Sequence, residues 1–290
     1  MRIHLAALRL LLVFTVLLGV GYPLAVTAVA QLPGLKERAN GSLVQKQGQV
    51  VGSRLIGQSF LDSQGNPIRK YFQARPSAAG STGYDPTATG ASNLGPESIV
   101  DQLPNPADPS DRGKPSLLTQ ICARSRAIGE LEGVAGTRPY CTADGVGAVL
   151  AVFWSGPGYT GQVTRVLSIN QTGSAVLFVP EYHGVTVQLA QYGQDYSRAQ
   201  IVPVRGTAPA EPAVPADAVT ASGSGLDPQI SPDYARLQEG RVAAARHITV
   251  AEVAALVRKY SEGRDLGFLG EPRVNVLLLN LDLDRQYPTS

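Results

Sequence analysis

Cysteine, histidine, methionine and tryptophan are scarce in this 290-residue chain, with two Cys, three His, one Met and one Trp. Two cysteines, Cys122 and Cys141, are too few for a disulfide scaffold or a four-thiolate zinc site, and can make one bridge. None of His4, His183 and His247 has another His or a Cys at metal-ligand spacing, so no metal site is expected. An excess of one charge sign is lacking too: 25 Lys and Arg face 23 Asp and Glu, for a net +2. Without a strongly basic surface, nucleic acid is not an expected partner. The phosphate-cradling GxxxxGK[ST] loop and the GxSxG nucleophile elbow are both missing. Ser222-Gly223-Ser224-Gly225 reads as a flexible turn. Neither Ser224 nor the pair Asp282 and Asp284 has a base or oxyanion arrangement beside it, which argues against a hydrolase.

What is abundant is apolar residues, glycine and proline: 43% apolar, 31 Gly and 21 Pro. That is too apolar for a disordered chain and too rich in turns for a helical bundle. From Leu10 to Val29 there is no charged residue. As a helix this run would be about 30 Å long, one bilayer core. Arg2 and Arg9 precede it, which favours a cytoplasmic N-terminus over residues 1–9, a transmembrane helix over 10–30 and an extracytoplasmic remainder. The alternative is a secretory signal cleaved after Ala30, since Ala28-Val29-Ala30 fits an A-x-A site, and a secreted binding protein would then result. The apolar run is longer than a signal's h-region, and Pro23 within it would kink rather than end a helix. Gly21, Ala25 and Ala28 fall at i, i+4 and i+7, a face of small residues suited to packing on another membrane helix.

The rest predicts an α+β domain. Residues 40–95 read as short strands and turns. The Pro-rich stretches Leu103 to Pro115 and Thr207 to Pro215 read as extended linkers. Between them, the runs Ala148 to Trp154, Gln162 to Ile169, Ala175 to Val179 and Val185 to Leu189 suggest a small β-rich module, an insertion over 106–212. Ser231-Pro232 starts one predicted helix, to about Arg246, and the capping box Thr249/Glu252 starts another. After Pro272 the alternation Val274, Val276, Leu278, resumed at Leu281 and Leu283, predicts a bulged strand that would put Asp282 and Asp284 on one face. Gln238, Arg241 and Arg246 form the best polar cluster, able to grip a carboxylate, a phosphate or backbone carbonyls, or else simply to solvate an exposed helix face. Asn40-Gly41-Ser42 and Asn170-Gln171-Thr172 fit the glycosylation pattern.

Several short motifs occur in a telling order: Gly21-Tyr22-Pro23, Asn40-Gly41-Ser42-Leu43, Gly52-Ser53, Leu55-Ile56-Gly57-Gln58, Phe72 and Ala74-Arg75-Pro76-Ser77. Ser92-Asn93-Leu94, Thr220 to Pro228, Ile230-Ser231-Pro232, Gln238 with Arg241 to Ala243, Ala245-Arg246, Val274-Asn275-Val276 and Leu279-Asn280 follow. In this order they resemble the C subunit of the Kdp potassium-transporting ATPase, over roughly residues 8–105 and 213–285. The resemblance implies an anchored extracytoplasmic core domain, residues 31–105 and 213–290, in an accessory subunit of a potassium-uptake complex of the cell membrane. It also implies that the chemistry belongs to partners, a P-type subunit that hydrolyses ATP and a channel-like subunit that binds potassium, with membrane lipid around the anchor. The absence of Asp-Lys-Thr-Gly and TVGYG motifs here agrees. The family's C subunit is described as a catalytic chaperone that raises the ATP affinity of the hydrolysing subunit. The resemblance thus points to Gln238, Arg241 and Arg246 as the residues concerned with partner or nucleotide, with no covalent cofactor and ATP met only through the complex. With one membrane helix, however, Gln238 would lie on the side away from cytoplasmic ATP, so any effect must be transmitted as a coupling free energy. For the segment 106–212 the family offers no function.

Overall fold

The computed structural model describes residues 2–90, 93–173 and 176–289; Ser92 and Ala175, each in a motif or run named above, lie outside them. The chain divides into two units, residues 1–56 and 57–290. The first begins with helix α1 (Arg2–Val16), a π-helical turn (Leu17–Gly21) and α2 (Tyr22–Ala30), together one apolar helix of 29 residues, long enough to cross a membrane. Pro23 has no N–H to give to the preceding turn, and the turn before it widens so that the Tyr22 N–H bonds to the Leu17 carbonyl. Gly21 already has helical dihedrals, so Gly21, Ala25 and Ala28 stay on one face of a regular helix, all exposed. A short helix α3 (Lys36–Ala39) and the hairpin β1 (Leu43–Lys46) and β2 (Gln49–Ser53) follow. Gln47 and Gly48 both take positive φ, the two-residue turn that matches strand twist.

In the second unit, the described residues between 57 and 116 form loops, turns and isolated bridges. Helix α4 (Leu117–Glu132) comes next, absent from the sequence reading. The Ser116 hydroxyl caps it by accepting the Thr119 N–H, and Gly133, at φ 71°, ends it in the left-handed conformation. A five-stranded sheet is then built from β3 (Val149–Gly156), β4 (Thr160–Ser168), β5 (Glu181–Tyr182), β6 (Val185–Leu189) and β7 (Gln200–Pro203). Its order is β5-β6-β4-β3-β7, with β4 and β6 parallel and the other pairs antiparallel. Strand periodicity sends Val149, Ala151 and Leu167 into one core and Leu150, Val152, Val166 and Val187 into another, so both faces of β3 are covered. The run at 176–179 forms no strand; Leu177, Phe178 and Val179 instead pack on the second of these cores.

The C-terminal part holds α5 (Ala216–Val219), β8 (Gln229–Ile230), α6 (Pro232–Arg246), α7 (Val250–Lys259), β9 (Ser261–Glu262), β10 (Arg273–Asn275) and α8 (Val276–Gln286). Ser231 caps α6 and the Thr249/Glu252 capping box starts α7, as the sequence predicts. The predicted strand after Pro272 is corrected: only Arg273–Asn275 pairs, between β8 and β9. The Asn275 side chain accepts the Leu278 N–H and turns the chain into α8, which buries Val276, Leu279 and Leu283. Helix α4 joins the two parts of the body, with Leu118 on the sheet's core and Ile121 and Ile128 on the helical core. The stretch 207–215 is no free linker either, because Val214 is fully buried and its carbonyl accepts from Arg138.

Candidate functional site

Residues 69–73 belong to neither helix nor sheet, yet Phe72 is fully buried and Gln73 nearly so. Their backbone groups must find partners away from water. Side chains of α6 and α8 supply them. Asn280 accepts the Phe72 N–H at 2.9 Å and donates to the Phe72 carbonyl at 2.9 Å. Gln238 does the same for the next residue, accepting the Gln73 N–H at 2.7 Å and donating to its carbonyl at 3.1 Å. Each amide stands in for a neighbouring strand. Arg241 donates to the carbonyls of Arg69 and Tyr71 at 2.5 and 2.9 Å, and Arg246 to that of Lys70 at 2.8 Å. From Gln238 to Arg246 a helix rises about 12 Å. Residues 69–71 form a turn, closed by the Tyr71 N–H on the Ile68 carbonyl at 3.0 Å, and 72–73 run on from it. Residue 73 meets the start of that stretch of α6 and residue 70 its end, so the segment runs antiparallel to the helix.

The arginines are held in turn. Arg241 donates to the side-chain amide oxygen of Gln238 at 2.8 Å and pairs with Glu132, at the end of α4, at 2.9 Å. Both side chains of that pair are sealed, 2% and 1% exposed. Burial pushes the Glu132 carboxyl above its ordinary range, and the Arg241 charge offsets only part of that. Arg246 pairs with Asp284 at 2.9 Å, donates to the Tyr287 carbonyl at 3.0 Å and lies 5.2 Å from the centre of the Tyr71 ring. The Tyr71 hydroxyl closes the ring of contacts on Asp284 at 3.1 Å.

The helical form of 276–286 separates the two aspartates that a strand would have put side by side. Asp282 turns to Lys259, Arg285 and Gln286, whereas Asp284 turns to Arg246. Burial alone would raise the Asp282 carboxyl, but hydrogen bonds from Lys259, Gln286, Tyr260 and Arg285 prevail and hold it far below the usual carboxylate range.

Gln238, Arg241 and Arg246 are thus brought together, but as a buried latch: their relative exposures are 0%, 6% and 4%. An exposed polar helix face is not what they form. The sequence reading missed Glu132, Asn280 and the segment they help to hold. The one signal for Asn280 is an amide set among leucines, which a helix core tolerates only when the amide is hydrogen-bonded. Gly21, Pro23, Ala25 and Ala28 lie in the other unit, on the apolar helix. Cys122 and Cys141 are bonded, fastening α4 to the loop before β3. Ser222 and Ser224 accept backbone N–H groups within their own turn. Asn170 is buried and donates to the carbonyls of Ile99 and Gly147, so the folded chain does not present it for glycosylation. Among the described residues, no three His, Cys, Asp or Glu side chains converge on a metal site.

The family model described as K+-transporting ATPase, c chain, matches residues 4–102 and 188–285. Similar proteins named Potassium-transporting ATPase KdpC subunit come from Kineococcus radiotolerans (39% identical over 281 residues, 97% of this chain and 92% of that one) and Mycobacterium tuberculosis (36% over 281 residues, 97% of each). Another, from Beijerinckia indica, is 35% identical over 278 residues, 96% of this chain and 91% of its own. This chain belongs to the KdpC family. The family match contains both jaws of the latch, residues 69–73 on one side and α6 with α8 on the other, while Glu132 falls in the unmatched stretch 103–187. An alignment covering 281 of 290 residues must cross most of that stretch, so the Kineococcus and Mycobacterium proteins have a comparable region.

Proposed function

We propose that this chain is a non-catalytic accessory subunit of an ATP-driven potassium-uptake complex, tethered by its N-terminal helix with its body on the extracytoplasmic side. Membership of the KdpC family supports the complex, Arg2 and Arg9 ahead of the one spanning-length helix among the described residues support the orientation, and a bonded cysteine pair suits an oxidising compartment. Its partners in this reading are a channel-like subunit that binds potassium and a P-type subunit that hydrolyses ATP, the first packing on the small-residue face at Gly21, Ala25 and Ala28.

One observation carries the mechanism: Gln238 has no exposed surface, and its amide oxygen and nitrogen are taken by Gln73 and Arg241. A group so enclosed shapes the subunit and does not reach for nucleotide. Any rise in the ATP affinity of the hydrolysing subunit is therefore a coupling free energy, produced because this chain binds one conformation of its partners better than another. Potassium-dependent ATPase activity of the complex, prepared with and without this chain, tests the role. Activity should fall or decay without it, and full, lasting activity in its absence contradicts the proposal. Protease added outside intact cells tests the orientation: the body should be digested, and protection of everything after residue 30 would reverse it.

A further inference from the structure

An open cleft of about 460 Å³ lies in the second unit, between the 73–84 segment and α4. Two guanidinium groups line it, Arg75 and Arg124, and no carboxylate does. Arg124 has no acidic partner among the described residues, and Arg75 has one long ion pair, with Asp227. Arg124 donates to the Val219 carbonyl at 2.9 Å and to Gln120 at 3.1 Å, both uncharged, and among the described residues it makes no ion pair. Burial pushes the proton affinity of its guanidinium down, with no acid opposing. Arg75 has only long contacts, each at 3.4 Å, to Asp227 and to the carbonyls of Thr220 and Ala221, and its buried Nε has no acceptor. Because the two arginines donate to carbonyls of adjoining residues, Val219 and Thr220, they lie near one another.

A third group faces the cleft. Tyr234 lines it, and its hydroxyl, which keeps some solvent contact, bonds to no protein group among the described residues. One unpaired guanidinium, one only loosely paired, and a hydroxyl open to solvent on one cleft are the complement of an oxyanion, whose oxygens accept from guanidinium forks and from O–H. We propose that this cleft is a binding site for a small oxyanion of the carboxylate or phosphate class, gripped by Arg75 and Arg124 and met by Tyr234. The site shares Gln73 with the latch, but it does not rest on the potassium-uptake role.

Calorimetric titration of the full-length chain in detergent with glutarate and, separately, inorganic phosphate, at ionic strength held constant with sodium chloride, tests this. Saturable one-to-one binding of at least one anion is expected, and the tighter of the two tells which class the site takes. Arg124→Gln should weaken it at least tenfold, Arg124→Lys less, and Tyr234→Phe several-fold. Arg126→Gln, on an exposed side chain of the same helix paired with Glu130, should leave it unchanged. No saturable binding of either anion to the parent chain, or equal binding by the parent, Tyr234→Phe and Arg124→Lys, overturns the proposal even if Arg124→Gln does not fold.

Discussion

The five-stranded sheet and the segment 69–73 solve one problem in two ways. In the sheet, buried backbone groups of β3 are met by those of β4 and β7, and apolar side chains alternate into two cores. Segment 69–73 has no neighbouring strand, and its groups are met by two amides and two arginines rooted in α6 and α8. A backbone ladder tolerates almost any side chain that fits the core, because the hydrogen bonds come from the main chain. A side-chain latch does not, since each hydrogen bond depends on one residue type at one position. The lesson is that the KdpC-matched core is specified by polar residues that are internal, whereas the sheet is specified by apolar volume.

Breaking the latch should therefore cost most. Arg241→Ala leaves Glu132 buried without its cation and should lower stability by about 4 kcal/mol. The double variant Arg241→Met with Glu132→Leu should recover much of that loss. Chemical denaturation of the full-length chain measures both. In the sheet, Leu150→Ala opens a cavity at a fully buried position and should cost about 3 kcal/mol. Hydrogen exchange sharpens the contrast: Arg241→Ala should speed exchange at the Phe72 and Gln73 amides first, and Leu150→Ala that of β3 and β4. Gln238→Leu strands the Gln73 N–H and carbonyl and should cost about 2 kcal/mol. The smallest effect concerns acid. The Asp282 carboxyl starts from 3.8 when free and is held well below that in the fold. Between the two values the unfolded chain takes up the proton and the folded chain does not, so stability rises with pH there. The contribution is complete above about pH 5 and drains away as pH falls toward the folded value. Asp282→Asn should therefore flatten the decline of melting temperature between pH 5 and pH 3; an unchanged slope would assign that decline to other groups.

Much of this fold is legible in the amino-acid order because its helices carry their own start signals. Ser231-Pro232 and Thr249 with Glu252 locate α6 and α7, and the uncharged run locates the N-terminal helix. Helix α4 has equally good signals in Ser116 and Gly133, but its face is polar and it sits between proline-rich stretches, so periodicity hides it. Helix α8 is hidden by the opposite condition: a short run of leucine and valine suits strand and helix alike, and only the cap at Asn275 separates them. For the latch, the cluster Gln238, Arg241 and Arg246 is visible in sequence. Its burial is not, because that depends on residues 69–73 arriving from more than 160 positions away, and on Glu132 from 109.

On the proposed function, Gln238 holds the subunit's core and does not touch nucleotide. This is tested most directly by the ATP-concentration dependence of potassium-stimulated hydrolysis in intact complexes carrying Gln238→Ala, measured beside the yield of assembled complex. The structure predicts a reduced yield with a nearly unchanged ATP requirement in those complexes that assemble. A large loss of apparent ATP affinity in complexes assembled at full yield would contradict it.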